Sequence, residues 1–234
     1  MHYYEKPLLK YIRQTITGES PKLASLFPKM EMSPGVHHVF RNKKLHTHGH
    51  HLSHAAAGFQ TSPFNDATVV VVDAIGEFDT ISIYGAEYVN GRARYKKLWG
   101  QKYPHSIGLF YTAMTQRVGL KPMEDEYILM GMAAYGERGF ANLMSQDYIS
   151  HEYQVEFNEN LHTGISPGYL NHITNEEIAA GAQELVETLI LNIMMRANRL
   201  HWSKNLVYMG GVALNCAANS RIGNYFNDIW IMPN

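Results

Sequence analysis

The sequence predicts an α/β domain, and three stretches carry that reading. They are the β-branched run Ala67-Thr68-Val69-Val70-Val71-Val72, an amphipathic helical pattern from Thr174 to about Leu200, and a second apolar run, Leu206–Met209, turned at once by Gly210-Gly211. A strand that is apolar at successive positions is buried on both faces, and this requires helices above and below its sheet. With 234 residues, 45% of them hydrophobic and 18% charged, the chain has material for a substantial core in one or two domains.

Composition also excludes classes. The 20 basic and 21 acidic residues give a formal net charge of -1, so nucleic acid and anionic lipid are not expected partners. No stretch approaches the ~18 consecutive apolar residues of a membrane span, and the first residues lack the basic-then-apolar order of a signal peptide. One cysteine, Cys216, rules out an intrachain disulfide or a cysteine-only zinc site. The expected location is the cytoplasm.

In chain order, residues 1 to 45 show no sustained periodicity, and Pro7, Pro21, Pro28 and Pro34 interrupt any long helix. Histidine then becomes dense: His37, His38, His46, His48, His50, His51 and His54 fall within 18 residues. A short helix from about His48, favoured by three alanines and Leu52, is expected to end at Gly58. The β-branched run follows and closes in Asp73 and the turn Ala74-Ile75-Gly76-Glu77. Ile81, Ile83, Tyr88 and Val89 with the Asn90-Gly91 pair then complete a three-stranded meander over roughly 68 to 99. A helix from Pro104 through Ile107, Phe110, Met114 and Val118 packs on it. Thr174-Asn175-Glu176-Glu177 is a capping-box sequence ahead of the long helix. After Leu206–Met209 a helix begins near Ala213, and Ile229–Met232 is one more strand.

His50 and His54, four apart, share one helix face and are spaced to share a divalent metal. Asp73, at the end of a buried strand, is the best-placed third ligand; His51 with His54 is an alternative spacing. A solvated histidine patch accounts for the pair equally well. Gly76 after Asp73, and Gly210-Gly211 before a helix, let a backbone approach a phosphate or a flat ring, although close packing of helix on strand also selects glycine. Neither junction matches the P-loop or the dinucleotide fingerprint. Cys216 is expected to be a buried small residue, and Tyr84, Tyr88, Tyr95, Tyr111 and Phe110 to pack in the core.

Five stretches together resemble the N-terminal domain of O-carbamoyltransferases, the enzymes that carbamoylate nodulation factors, cephamycins and aminoglycosides. They are His50-His51-Leu52-Ser53-His54-Ala55-Ala56, Val72-Asp73-Ala74-Ile75-Gly76-Glu77, Pro104-His105-Ser106-Ile107-Gly108, Met130-Gly131-Met132-Ala133-Ala134-Tyr135-Gly136 and Gly210-Gly211-Val212-Ala213-Leu214-Asn215, with Tyr4-Glu5-Lys6-Pro7 extending the likeness. The resemblance implies the ribonuclease H-like fold of actin, sugar kinases and heat-shock ATPases. It implies metal ligation, usually of iron as Fe(2+), by His50, His54 and Asp73, and nucleotide contacts at Ala74, Gly76, Glu77, Gly210, Gly211 and Asn215. It also implies a reaction in which carbamoyl phosphate and ATP form carbamoyl-adenylate and the carbamoyl group passes to an acceptor hydroxyl. The catalytic base is unassigned, with Glu177 and His105 as candidates.

Departures from the family pattern set further expectations. The family's first strands, its last aspartate ligand and its C-terminal domain have no counterpart here, and residue 74 is Ala where the family usually has Gly. The chain is therefore expected to be an internal piece, 1–66 closing a first half that includes the histidine helix and 67–234 forming most of the second, inactive in isolation. Two other readings stand beside it: an ATP-dependent kinase or phosphotransferase of the same superfamily, and a non-catalytic piece that pairs through open strand edges, for instance as a homodimer.

Overall fold

The computed structural model describes residues 2–30, 38–39, 42–200 and 202–232; Pro34 and His37 lie outside them. Two short strands, β1 (His2–Tyr3) and β2 (His46–Thr47), pair in parallel, with helix α1 (Pro7–Ile16) between them in sequence. Helix α2 (His50–Thr61) leads into β3 (Asp66–Val72), β4 (Asp79–Val89) and β5 (Arg92–Lys102). Helices α3 (Ile107–Arg117), α4 (Glu126–Met132) and α5 (Ala141–Tyr148) follow, then a small hairpin of β6 (Ile149–His151) and β7 (Glu156–Phe157). Helix α6 (Asn175–Arg199), β8 (Asn205–Met209), the short α7 (Cys216–Asn219) and β9 (Asp228–Ile231) complete the described elements.

Among the described residues the main sheet has five strands in the order β5-β4-β3-β8-β9. β4 runs antiparallel to β3 and β5, while β3, β8 and β9 are parallel. Numbered within the sheet, the order is 3-2-1-4-5 with the second strand reversed, the ribonuclease H-like pattern. The α/β class and the fold implied by the resemblance are the observed ones. Alternation along β3 explains its continuous β-branched run: Val70 and Val72 join the core beneath α3 and α6, while Val69 and Val71 face Ala55 and Phe59 of α2. The β4–β5 turn is made by Asn90 and Gly91, both at positive φ, as a two-residue hairpin demands. The open edge β5 carries Arg92, Arg94, Lys96 and Lys97, charges that oppose pairing with another strand.

Helix α6 is long and apolar enough to cross a membrane by length and composition, yet most of it is buried in this core. Its start is the predicted capping box: Thr174 Oγ1 accepts the Glu177 N–H at 3.2 Å, and the Thr174 N–H donates to Glu177 Oε2 at 2.8 Å.

Among the described residues the irregular N-terminal region holds a short helix of ten residues, which Pro7 permits because it sits at the first turn, where a missing N–H costs no intrahelical bond. Several expectations are corrected. Gly58 lies inside α2 and does not end it. A side chain there would come within 2.5 Å of Met209 and 2.7 Å of Val207, so this glycine serves the close approach of α2 to β8. The segment after Gly210 is a 3-10 turn, Gly211–Leu214, and the helix starts only at Cys216, capped by Asn215. Cys216 is exposed, since α7 turns that position outward. Tyr88 is 40% exposed, with one ring face covered by Phe59 at 5.1 Å.

Candidate metal centre and adjoining cavity

The histidines, Asp73 and the second glycine junction meet because of topology. β3 and β8 are parallel neighbours, so their C-terminal ends open on the same edge, and sheet order reverses between them. Such a switch point leaves a crevice beyond the strand ends. Asp73 is the first residue past β3 and Gly210 the first past β8.

Helix α2 starts at His50, which puts His50 and His54 one turn apart on the face turned toward Asp73, with ring centroids 4.8 Å apart. His50 Nε2 lies 2.9 Å from Asp73 Oδ2, His54 Nε2 lies 3.2 Å from the same oxygen, and the two nitrogens are 3.1 Å apart. Two ligands about 2.1 Å from one ion are separated by about 3.0 Å at a right angle and about 3.4 Å at the tetrahedral angle. The observed triangle matches three ligands on one face of a divalent ion, and the donors are the two-histidine, one-carboxylate set with open positions that suits ferrous iron. His51 faces the other way. It is 2% exposed, with Nδ1 3.0 Å from Ser82 Oγ, so the His51–His54 alternative is not the pair brought together. Of the other clustered histidines, His46 and His48 flank His2 as a stacked surface patch, centroids 5.2 and 5.0 Å from it.

The site is strongly polarised. Burial opposes ionisation of Asp73, but hydrogen bonds from His50, His54 and the Ala74 N–H, the last at 2.8 Å, hold its carboxyl well below the ordinary range. Burial likewise pulls His50 down, and its hydrogen bond to Asp73, with the Glu5 carboxylate close to its other ring nitrogen, outweighs that and raises it to about 9. His51 is lowered to about 4 by its burial, which outweighs the opposing pull of the Asp73 and Asp79 carboxylates.

A cavity of about 330 Å³ adjoins this cluster at Asp73. Asp73 and Ala74 line one side, Gly211, Val212 and Asn215 another, and Tyr127 is among the aromatic and aliphatic groups closing it. A side chain at Gly210, where φ is +95°, would come within 2.2 Å of the Val72 carbonyl oxygen, and one at Gly211 within 3.2 Å of Asp73 Oδ1. Both glycines thus serve the approach of the two junctions to each other. Ala74 fits because its neighbour across the gap is Gly108, whose missing side chain would meet the Ala74 backbone at 2.6 Å. Ser106 Oγ donates to the Ala74 carbonyl at 2.6 Å and accepts the Leu109 N–H, tying the turn to the start of α3.

Asn215 is held by a buried polar network that sequence reading missed. Gln183 of α6 exchanges two hydrogen bonds with it, both 2.9 Å, and Tyr111 donates to Gln183 Oε1 at 2.7 Å. Gln183 also donates to Glu187, which accepts from Arg221 at 2.8 Å. The one signal was a Gln and a Glu four residues apart on an otherwise apolar helix.

The remaining predicted residues are engaged elsewhere. Glu77 accepts the His50 N–H on both oxygens at 3.1 Å and the Lys6 N–H at 2.7 Å, so its carboxylate caps the start of α2. Gly76 packs beneath α2, where a side chain would meet His51 at 3.0 Å. His105 Nδ1 accepts the Phe157 N–H at 3.0 Å, and Glu177 belongs to the capping box.

Fold and site together define a class: a ribonuclease H-like α/β domain with two histidines and an aspartate gathered at the switch point of its sheet. Within that class the chain belongs to the carbamoyltransferase N-terminus family, whose model matches residues 8–234. It is 32% identical over 213 residues to an uncharacterized protein (sll1178) of Synechocystis sp. strain PCC 6803, covering 79% of this chain and 33% of that protein. It is 27% identical over 201 residues to nodulation protein NolNO of Sinorhizobium fredii strain NGR234, covering 79% and 28%. An uncharacterized protein (MJ1051) of Methanocaldococcus jannaschii is 28% identical over 202 residues, covering 80% and 37%. The chain thus spans about a third of the length of these relatives.

Proposed function

We propose that this chain supplies the metal and nucleotide pocket of an ATP-dependent O-carbamoyltransferase of the cytoplasm. The reaction is transfer of a carbamoyl group from carbamoyl phosphate, through carbamoyl-adenylate, to a hydroxyl of a small-molecule acceptor such as a sugar, an antibiotic or a nodulation factor. The observation that carries the reading is the meeting of His50 and His54 with Asp73, which itself lines a cavity together with Gly211 and Asn215. Family membership supplies the reaction class.

His50, His54 and Asp73 would hold a divalent metal, Fe(2+) in this reading, which when bound supplies Lewis-acid polarisation of a carbonyl oxygen. The backbone at Ala74 and Gly211 lets phosphate oxygens approach, and the apolar lining by Val212 and Tyr127 suits a purine face. Asn215 gives one amide hydrogen to Gln183, which leaves the other to orient a ligand. In the transfer step the acceptor oxygen bonds to the carbamoyl carbon, the bond from that carbon to the adenylate oxygen breaks, and AMP leaves with the electron pair. The hydroxyl proton goes to a base, which is left unassigned; the hydrogen bonds of His105 to the Phe157 N–H and of Glu177 to Thr174 give each a structural role and favour neither as that base.

The test is transfer from synthetic carbamoyl-adenylate to a hydroxyl acceptor by protein reconstituted anaerobically with ferrous iron. Asp73→Asn is expected to lower transfer at least a hundredfold. Undiminished transfer by that variant would remove Asp73 from the mechanism, and a phosphorylated acceptor formed from ATP would reassign the chain to phosphoryl transfer.

A further inference from the structure

Behind His50 lies a half-buried ion pair that none of the roles above uses. Glu5 is 7% exposed, its Oε2 is 2.8 Å from Lys10 Nζ, and its Oε1 is 3.4 Å from His50 Nδ1, the ring nitrogen facing away from Asp73. That separation is an ion-pair distance just beyond a good hydrogen bond, and the buried Nδ1 makes no hydrogen bond with any other group. The backbone around Glu5 is fastened to the histidine helix on both sides. Ser53 Oγ donates to the Tyr4 carbonyl at 3.2 Å, the His48 N–H donates to the Tyr3 carbonyl at 3.0 Å, and the Lys6 N–H donates to the Glu77 carboxylate that also caps His50. Burying a carboxylate costs several kcal/mol unless it is paired. A pair serving only to hold α1 in place would gain as much on the surface; this one has its carboxylate buried against the ring of a candidate ligand.

Tautomer chemistry gives the arrangement a purpose. An imidazole that binds a metal through Nε2 must carry its proton on Nδ1, and that N–H needs an acceptor to fix the ring and its tautomer. Glu5 Oε1 is the carboxylate oxygen that faces it. We infer that Glu5, held by Lys10, is the positioning residue for His50: it accepts the Nδ1 proton and so presents Nε2 as a lone pair beside His54 and Asp73. Glu5 precedes the segment matched by the family model, which begins at residue 8. The inference rests on the metal reading of His50, His54 and Asp73, and its test separates the two.

The probe is cobalt(II), added to the chain and titrated against a competing chelator, with its visible ligand-field spectrum recorded. Wild-type protein is expected to bind one ion, and His50→Ala to lose it. Glu5→Gln is expected to bind 10- to 100-fold more weakly with an altered spectrum, and Glu5→Asp to recover part of the affinity. Lys10→Met, which leaves the carboxylate but frees it, is expected to lose several-fold; it carries the test if Glu5→Gln does not fold. Wild-type affinity and spectrum in both Glu5→Gln and Lys10→Met, with His50→Ala still deficient, would overturn the positioning role and leave the metal site standing. No binding by wild type would overturn the metal reading itself. In zinc-loaded protein, nitrogen-15 NMR is expected to find His50 protonated on Nδ1, and zinc on Nδ1 would overturn the inference by a route independent of affinity.

Discussion

Without metal, the site holds itself together by the His50–Asp73 ion pair, and this gives metal-free stability a defined dependence on pH. His50 is raised to about 9 in the fold, against about 6.5 for an unperturbed imidazole. A group whose folded-state pKa is raised contributes stability that is fully present below the unfolded value and lost as pH rises through the folded one. The interval of about 2.5 units corresponds to at most about 3.4 kcal/mol. Because His50 is only 13% exposed, solvent screening removes a modest part, and a loss of about 1 to 3 kcal/mol between pH 6.5 and 9.5 is expected. Asp73 adds nothing in that window, since it is ionised in both states there. Its lowered pKa is the same attraction viewed from the other partner, and matters only as pH falls below about 4. His51 sets the acid limb. Lowered to about 4 by burial, it contributes stability present above about 6.5 and lost as pH falls toward 4. The metal-free protein should therefore be most stable near pH 6 to 7. Urea unfolding in chelator at pH 5, 6.5, 8 and 9.5 reads both limbs, and His50→Ala should flatten the alkaline one while leaving the acid one. A wild-type profile flat above pH 6.5, or an alkaline slope unchanged in His50→Ala, would refute the ion-pair reasoning. With metal present the alkaline limb should vanish, because deprotonated imidazole is the ligand and affinity rises with pH.

Three further outcomes are expected. Gly210→Ala should destabilise by about 3 kcal/mol or more in urea unfolding, because its φ of +95° suits glycine and the added carbon would meet the Val72 carbonyl at 2.2 Å. Gln183→Leu should weaken binding of an adenine nucleotide about tenfold, as expected for losing a buried amide pair, while cobalt affinity stays unchanged; isothermal titration separates the two. Paired replacement of His46 and His48 by Ala should leave iron stoichiometry at one per chain, since their rings stack on His2 and not on the ligand triangle.

How much of this was legible in the sequence follows from what each signal reports. Periodicity reports burial, so the strand before Asp73, the helix after Thr174 and the β4–β5 hairpin were readable, and the four-residue spacing of His50 and His54 became a shared face as soon as α2 formed. Glycine reports close approach but not the approaching group. Gly58 reads as a helix end in the sequence but serves a contact with β8, and Gly76 lies beneath α2. Gly210 and Gly211, read as openings for a ligand, first of all let two strand ends come together beside Asp73.

Polar partners that neither spacing nor a family motif joins were not legible. Glu5 and His50 are 45 residues apart, and Gln183 and Asn215 are 32; no local pattern joins either pair, because only the fold decides which buried groups face each other. Yet these are the contacts on which precise placement depends. A histidine pair at helical spacing becomes a usable ligand set only when something fixes the tautomer, and an asparagine at a cavity wall orients a ligand only when its own amide is held. The ligands of this site could be named from spacing and family resemblance, whereas the residues that aim them, Glu5 from the N-terminal segment and Gln183 from the core helix, come from opposite sides of the sheet and required the three-dimensional arrangement.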